Sequence, residues 1–172
     1  MFLAVPTRRE TTATLGCIPD GPPGIKATLR IMRDMVRQGR KSMDVRNTAL
    51  GLVAHLEPND WYGEVRECHR FVRDEVRYVQ DPCDVELVQT PDVTLDNRAG
   101  DCDDKSTLLC AMLESIGHPA RFIAVGFQYG VYEHVYCETR IGECWVPCET
   151  TVKNAEVGWS PPRSKIRCWM YG

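Results

Sequence analysis

The chain has 172 residues, the length of one ordinary domain, and 43% hydrophobic with 26% charged residues is the balance of a soluble globular protein, not of a disordered or membrane chain. No apolar run approaches the roughly 20 residues that a membrane-crossing helix needs, and a net charge of −3 gives no general attraction to nucleic acid. Nine cysteines, odd in number and without a recurring spacing, do not describe a small disulfide-stapled fold. Arg8 and Arg9 follow the short N-terminal apolar patch, whereas a secretory signal carries its charge before a longer one. Reduced thiols and a cytoplasmic location are therefore expected.

Residues 1–24, with Pro6, Pro19, Pro22, Pro23 and three glycines, read as an irregular arm. From Ile25 the pattern becomes helical: Ile25, Leu29, Met32 and Val36 share one face, which predicts a helix over 25–38. The basic stripe Lys26, Arg30, Arg33 and Arg37 reads as its solvated side rather than a phosphate-binding surface. A second helix carries Val45, Ala49, Leu52, Val53 and Leu56 and closes at Pro58, so that helices fill 25–58. A third starts with Asn59 or Asp60 as cap and repeats Val65, Cys68, Phe71, Val72 and Val76.

Residues 77–99 contain Pro82 and Pro91 and hold no regular period, so they are expected to form a long loop. Loops of that length inside a domain usually carry function. Asp101 as cap, the apolar set Leu108, Leu109, Met112, Leu113 and Ile116, and Gly117 with Pro119 beyond define a buried helix that begins at Cys102. The run 121–127 suits a buried strand, and 133–140 with 143–149 suit a hairpin. The tail 152–172 is expected to pack irregularly through Trp159 and Trp169. No internal repeat occurs. The expected organisation is a single domain, 1–172, with its core over 59–151.

A cysteine in the first helical position meets unpaired N–H groups and the positive end of the helix dipole, which favour a thiolate. A nearby histidine able to take the proton favours it further. Asp103 and Asp104 act in the opposite sense, and Lys105 offsets them only in part. Taken alone, Cys102 reads as one more small buried hydrophobe. The hairpin changes that reading. A turn centred on Ile141-Gly142 sets Arg140 opposite Glu143, Thr139 opposite Cys144 and His134 opposite Glu149. Opposed residues have Cβ atoms about 5 Å apart, within reach of a carboxylate–imidazole hydrogen bond, which fixes the tautomer and stabilises an imidazolium.

The same alternation sends Val135, Cys137, Cys144, Val146 and Cys148 to the other, apolar face. A zinc site built from His134, Cys137, Cys144 and Cys148 is thereby disfavoured, because tetrahedral ligands must converge and His134 points away. His55, His69 and His118 have no evident carboxylate partner and read as surface or partly buried residues.

The run Leu95-Asp96-Asn97-Arg98-Ala99-Gly100-Asp101-Cys102-Asp103-Asp104, with Leu108, Leu109 and Gly117, resembles the cysteine-helix motif of the transglutaminase-like superfamily. Glu133-His134-Val135-Tyr136 resembles its histidine strand, and Trp145-Val146-Pro147-Cys148-Glu149-Thr150-Thr151 resembles its tryptophan, acid and threonine strand. The likeness covers roughly 60–151, with Cys, His and acid in the family's order; Glu149 stands where the family usually has aspartate. It implies an α+β papain-like fold with the cysteine helix on an antiparallel sheet. It also implies acyl transfer at amide carbonyls of a protein or peptide substrate by Cys102, His134 and Glu149, with no cofactor, metal, nucleic acid or membrane. Water as acceptor makes the chain a protease or amidase, the expected case; an amine acceptor makes it a crosslinking transglutaminase. The first helix and the small size are also reminiscent of prophage-encoded members, for which a non-catalytic peptide- or protein-binding role in a phage-related assembly is the alternative. The Cys102 N–H is one expected oxyanion donor, and Gln80, Gln89, Asn97 and Trp61 are candidates for the second.

Overall fold

A computed structural model describes residues 22–81, 87–162, 164 and 166–171, the last three by their backbone. Helices come first: α1 (Pro22–Gly39), α2 (Met43–Val53) and α3 (Trp61–Glu75). Leu29, Met32 and Val36 are buried along α1 while Lys26, Arg30 and Arg37 of the basic stripe stay exposed and its fourth cation, Arg33, is half-buried. The helix starts three residues before the expected boundary, since Pro22 and Pro23 occupy the first turn, where the missing N–H costs nothing. The rest of the expected arm lies outside the described residues. Asp60 caps α3 by accepting from the Gly63 N–H at 2.9 Å.

The segment expected to be one long loop carries its own structure. Strand β1 (Arg77–Tyr78) runs parallel to β2 (Ala99–Gly100), and α4 (Pro91–Asn97) lies between them in sequence, ended by Arg98 at φ 50°. Two-residue strands and a seven-residue helix are too short for a period to register.

Helix α5 (Cys102–Ser115) is the axis of the molecule. It touches α1 to α4 and strands β3 (Ala120–Gly126) and β4 (His134–Ile141), and 12 of its 14 residues are buried. Its second half is apolar all round, through Leu108, Leu109, Ala111, Met112 and Leu113, while its first half buries the polar run Asp103 to Thr107. The sheet is antiparallel, in the order β5 (Cys144–Cys148), β4, β3, β6 (Ile166–Tyr171). Its α5 side presents Phe122, Ala124, Val135, Cys137 and Cys148 to the main core, while Ile123, Val125 and Tyr136 form a second cluster. Strand β6 corrects the expectation of an irregular tail; the Trp169 side chain lies outside the described residues. Trp159 is 37% exposed, so Ala155 and Val157 supply this segment's burial instead.

The β4–β5 register also differs from expectation. Ile141 pairs with Cys144 and Cys137 with Cys148, so the turn is centred on Gly142-Glu143. Gly142 has φ 60°, the left-handed value that a two-residue II′ turn places at its first central residue. The pairing is therefore shifted by two residues, which preserves the face of every side chain.

Gly100 marks the tightest approach of backbone to the head of α5. A Cβ there would lie 2.5 Å from the Asp104 Cβ and 2.7 Å from its Oδ2. Asp104 has no room to yield, because its carboxylate is held by the Gln89 side chain and main chain. Gly100→Ala is expected to cost about 2–3 kcal/mol and to lower Tm by roughly 5–10 °C in a thermal melt.

Candidate active site

Three short-range devices hold the head of α5. The Asp101 carboxylate accepts from the N–H groups of Asp103 (2.9 Å) and Asp104 (3.3 Å). Asp104 returns the bond to the Asp101 N–H at 3.3 Å, closing a capping box with aspartate in the usual glutamate position. Gln89 then fixes Asp104 through its N–H and its side-chain amide, both at 2.6 Å. Cys102 thus occupies the first helical position and is partly exposed.

Its protonation is not what the helix dipole alone predicts. Burial raises the thiol's pKa, the carboxylates of Asp103 and Asp101 raise it further, and a hydrogen bond from the Val135 N–H lowers it only in part. The net direction is upward, burial first and the carboxylates of Asp103 and Asp101 after it, against the pull of the helix dipole toward the thiolate. Asp101 shares the crowding, and burial with Asp104 nearby lifts its own pKa to about 6.

The structure brings His134 and Glu149 together, with Nε2 and Oε2 2.6 Å apart. In the observed register Glu149, one residue past β5, continues the ladder to a position opposite Tyr136, so it reaches His134 along the diagonal. Oε1 of Glu149 accepts from the N–H and the hydroxyl of Thr151, both at 2.7 Å. Burial alone would raise this carboxyl's pKa, but the bonds to His134 and Thr151 outweigh it and hold the value below the usual range. An ionised acid therefore sits behind the ring. The Cys102 sulfur lies against the main chain of Val135, the residue after His134. Its side-chain hydrogen bond goes to Asp103 Oδ1 at 3.4 Å, and none joins it to the His134 ring.

Two residues complete the setting: Lys105, expected only to offset Asp103 and Asp104 in part, and His69, expected to be a surface or partly buried residue and instead fully buried. His69 is fully buried on α3 and its Nε2 lies 2.6 Å from the main-chain oxygen of Glu149. Burial, with Arg73 nearby, lowers its pKa, so a neutral ring donates its Nε2–H to that carbonyl, and Nδ1 is buried without a partner. Lys105, 1% exposed, donates to the Val76 and Arg73 carbonyls at the end of α3 and lies in the field of Glu149. An i,i+3 step from Cys102 was the available signal for Lys105; nothing local marks His69. His118, expected to lack an acid partner, has one in Glu64 at 2.6 Å.

The candidates for a second oxyanion donor separate. Gln89 is committed to Asp104, and Asn97 to Gln89 at 3.4 Å. Trp61 lines a groove of about 450 Å³ with Ile116, Gly117 and His118 at the far end of α5. Gln80 follows Val79, whose N–H donates to Gly100 O two residues before Cys102. The rival zinc ligands do not converge, since Cys137 and Cys148 are buried in the core, Cys144 is exposed and His134 is bound to Glu149. Cys102 with Asp101 and Asp103 forms the one close group of potential ligand atoms among the described residues, but Asp101 is spent on the cap.

Lys105 gives the site a pH signature. Burial lowers its pKa from 10.5 to about 8, with Glu149 and Asp74 opposing. The unfolded chain therefore binds more protons between those values, and stability rises as pH rises through 8 toward 10. Between pH 7 and 10 the wild type should gain on the order of 2 kcal/mol relative to Lys105→Met, read by urea denaturation.

Residues 49–150, more than half of the chain, match the sequence profile of the Transglutaminase-like superfamily. No curated protein is significantly similar to the chain. Among solved structures, a candidate cysteine protease from Cytophaga hutchinsonii superposes with a TM-score of 0.54 at 18% identity, over 81% of this chain and 51% of its own. A candidate protease from Parabacteroides distasonis gives 0.60 at 14% identity, over 73% of this chain and 26% of its own. The chain thus spans about half the length of the first and a quarter of the second. At these identities the likeness is one of fold, and it agrees with the α+β arrangement of a cysteine helix on an antiparallel sheet. No described helix is long and apolar enough to cross a membrane. On the profile match and the shared fold, the chain belongs to the transglutaminase-like superfamily.

Proposed function

We propose that the chain hydrolyses amide bonds of a peptide or protein through a thioester on Cys102, with His134 as base and then acid, and Glu149 as the carboxylate that orients it. The observation that carries this reading is the 2.6 Å hydrogen bond between His134 and a fully buried Glu149, beside a cysteine at a helix N-terminus. A buried carboxylate is costly unless its bonds repay it, and here those bonds fix one imidazole nitrogen, leaving Nδ1 for the thiol.

In the proposed reaction the Cys102 proton passes to His134 Nδ1 as the sulfur attacks the carbonyl carbon. The oxyanion that forms is met by the Cys102 N–H, which stands in the first turn outside the cap's bonds to Asp103 and Asp104. Gln80 is the proposed second donor. The imidazolium, paired with Glu149, protonates the departing amine and the C–N bond breaks. His134 then takes a proton from water as the water oxygen attacks the thioester carbon; the C–S bond breaks, the carboxylic acid leaves, and the imidazolium returns its proton to the Cys102 sulfur.

The test separates hydrolysis from transfer. A denatured casein substrate is incubated with and without a fluorescent primary amine, and new N-termini, released ammonia and incorporated amine are measured together. Hydrolysis without amine incorporation is expected, lost by at least about 10³-fold in Cys102→Ala and by about 10²–10⁴-fold in Glu149→Gln, with the fold retained. Amine incorporation in excess of hydrolysis would turn the reading to a crosslinking enzyme. Activity that survives Cys102→Ala would end it.

A further inference from the structure

Glu149 stands just past the β4–β5 ladder, whose last pair is Cys137 with Cys148, so the strand register no longer fixes its main chain. A side chain from α3 takes over there. His69 is fully buried, and its Nε2 lies 2.6 Å from the Glu149 main-chain oxygen. A carbonyl only accepts, so the ring carries its proton on Nε2. Burial, ahead of the nearby Arg73, lowers the ring's pKa and keeps it neutral, and Nδ1 is buried without a partner among the described residues.

As packing alone, this is a poor choice of side chain. Leucine or phenylalanine would fill the space with no unsatisfied polar atom, whereas imidazole leaves one of its two nitrogens dry. What the ring supplies that an apolar side chain cannot is the Nε2–H bond. The helix that carries it is itself tied down: the carbonyls of Arg73, one turn after His69, and of Val76 accept from the Lys105 ammonium on α5.

Building on the proposed role of Glu149 as the carboxylate that orients His134, we propose that His69 is a positioning residue: its Nε2–H pins the Glu149 main chain to α3, so that the carboxylate of the same residue meets the His134 ring. Three contacts then locate this acid. His69 holds its main-chain oxygen, the N–H and hydroxyl of Thr151 hold Oε1 at 2.7 Å, and His134 holds Oε2 at 2.6 Å. Thr151 is only two residues along the same chain and moves with Glu149, so it cannot locate the acid against the rest of the fold. Of the three, only His69 comes from outside the hairpin and its continuation. Its proton stays on Nε2 throughout, and no bond forms or breaks at this ring.

The imidazole N–H resonances of the full chain, isotope-labelled at its histidine nitrogens, read this role without turnover. In the wild type at neutral pH His69 should be neutral with its proton on Nε2, and the His134 Nε2–H should resonate strongly downfield, moving upfield in Glu149→Gln as the acceptor loses its charge. In His69→Leu the His134 resonance should also move upfield, and kcat on the amide substrate should fall by about 10–100-fold with KM within about twofold. His69→Gln, whose amide offers a donor at similar reach, should recover both. A residue that only fills space gives the opposite order, with leucine harmless. An unchanged His134 resonance in His69→Leu overturns the proposal, and so does its loss in a folded His69→Gln. A wild-type His69 with its proton on Nδ1 overturns it as well, and that measurement needs no variant to fold. The two readings fail separately: a His134 resonance governed by His69 in a chain without amide turnover upholds the positioning and removes the hydrolase, whereas turnover with a resonance indifferent to His69 removes the positioning alone.

Discussion

A single buried carboxylate organises the molecule. Glu149 is fully excluded from water, yet its bonds keep its pKa below the ordinary range. Each bond comes from a different piece of chain: His134 from β4, Thr151 from the turn beyond β5, His69 from α3 to its main chain, and the field of Lys105 from α5. An unpaired charge in that position would cost several kcal/mol. The carboxylate is therefore held where β4 and the turn beyond β5 meet, behind the ring of His134. The demands of packing and of orienting an imidazole coincide.

The head of α5 shows the opposite balance. A helix N-terminus offers about half a positive charge, worth roughly 0.3–1 kcal/mol to a nearby anion, while a carboxylate in contact and the loss of water cost a thiolate more. The acids are nonetheless required for the architecture: Asp101 and Asp104 satisfy the first-turn N–H groups and tie Gln89 to the helix. Burial and Asp103 raise the thiol's pKa most, and the Asp101 cap that places Cys102 at the helix tip raises it further. On the proposed mechanism, a base acting during attack fits this arrangement better than a preformed ion pair, and the ordered His134–Glu149 pair would serve as that base.

Much of this was legible in the residues. Asp101 as cap and Cys102 at the first helical position follow from a side chain that hydrogen-bonds within three residues, and the amphipathic faces of α1 and α3 follow from period alone. The dyad was reached through a register that proved two residues off, because Gly142 was set at the second instead of the first central turn position. An even slip leaves each side chain on its own face, and the length of a glutamate covers the diagonal. A slip of one would have sent Glu149 to the face of Cys137 and Cys148. Here parity carried the inference, and register did not.

What escaped reading has a common cause. His69 meets Glu149 across 80 residues, Lys105 meets the end of α3 across about 30, and β1 joins β2 across 22. None of these leaves a local period or a cap signature. The parallel pair is the most consequential of them. Through Val79 and Gly100 it brings Tyr78 into the field of Cys102, so the segment that reads as a loop borders the sulfur. Residues that contact a substrate are free of the periodicity that core packing imposes, whereas Cys102, His134 and Glu149 stand at the ends of elements that packing defines. The chemistry of the site is for that reason easier to find in the sequence than its specificity. On the proposed reading, the segment 77–81, not the helix or the hairpin, is where substitutions should change which amide is accepted without touching the sulfur, the ring or the acid.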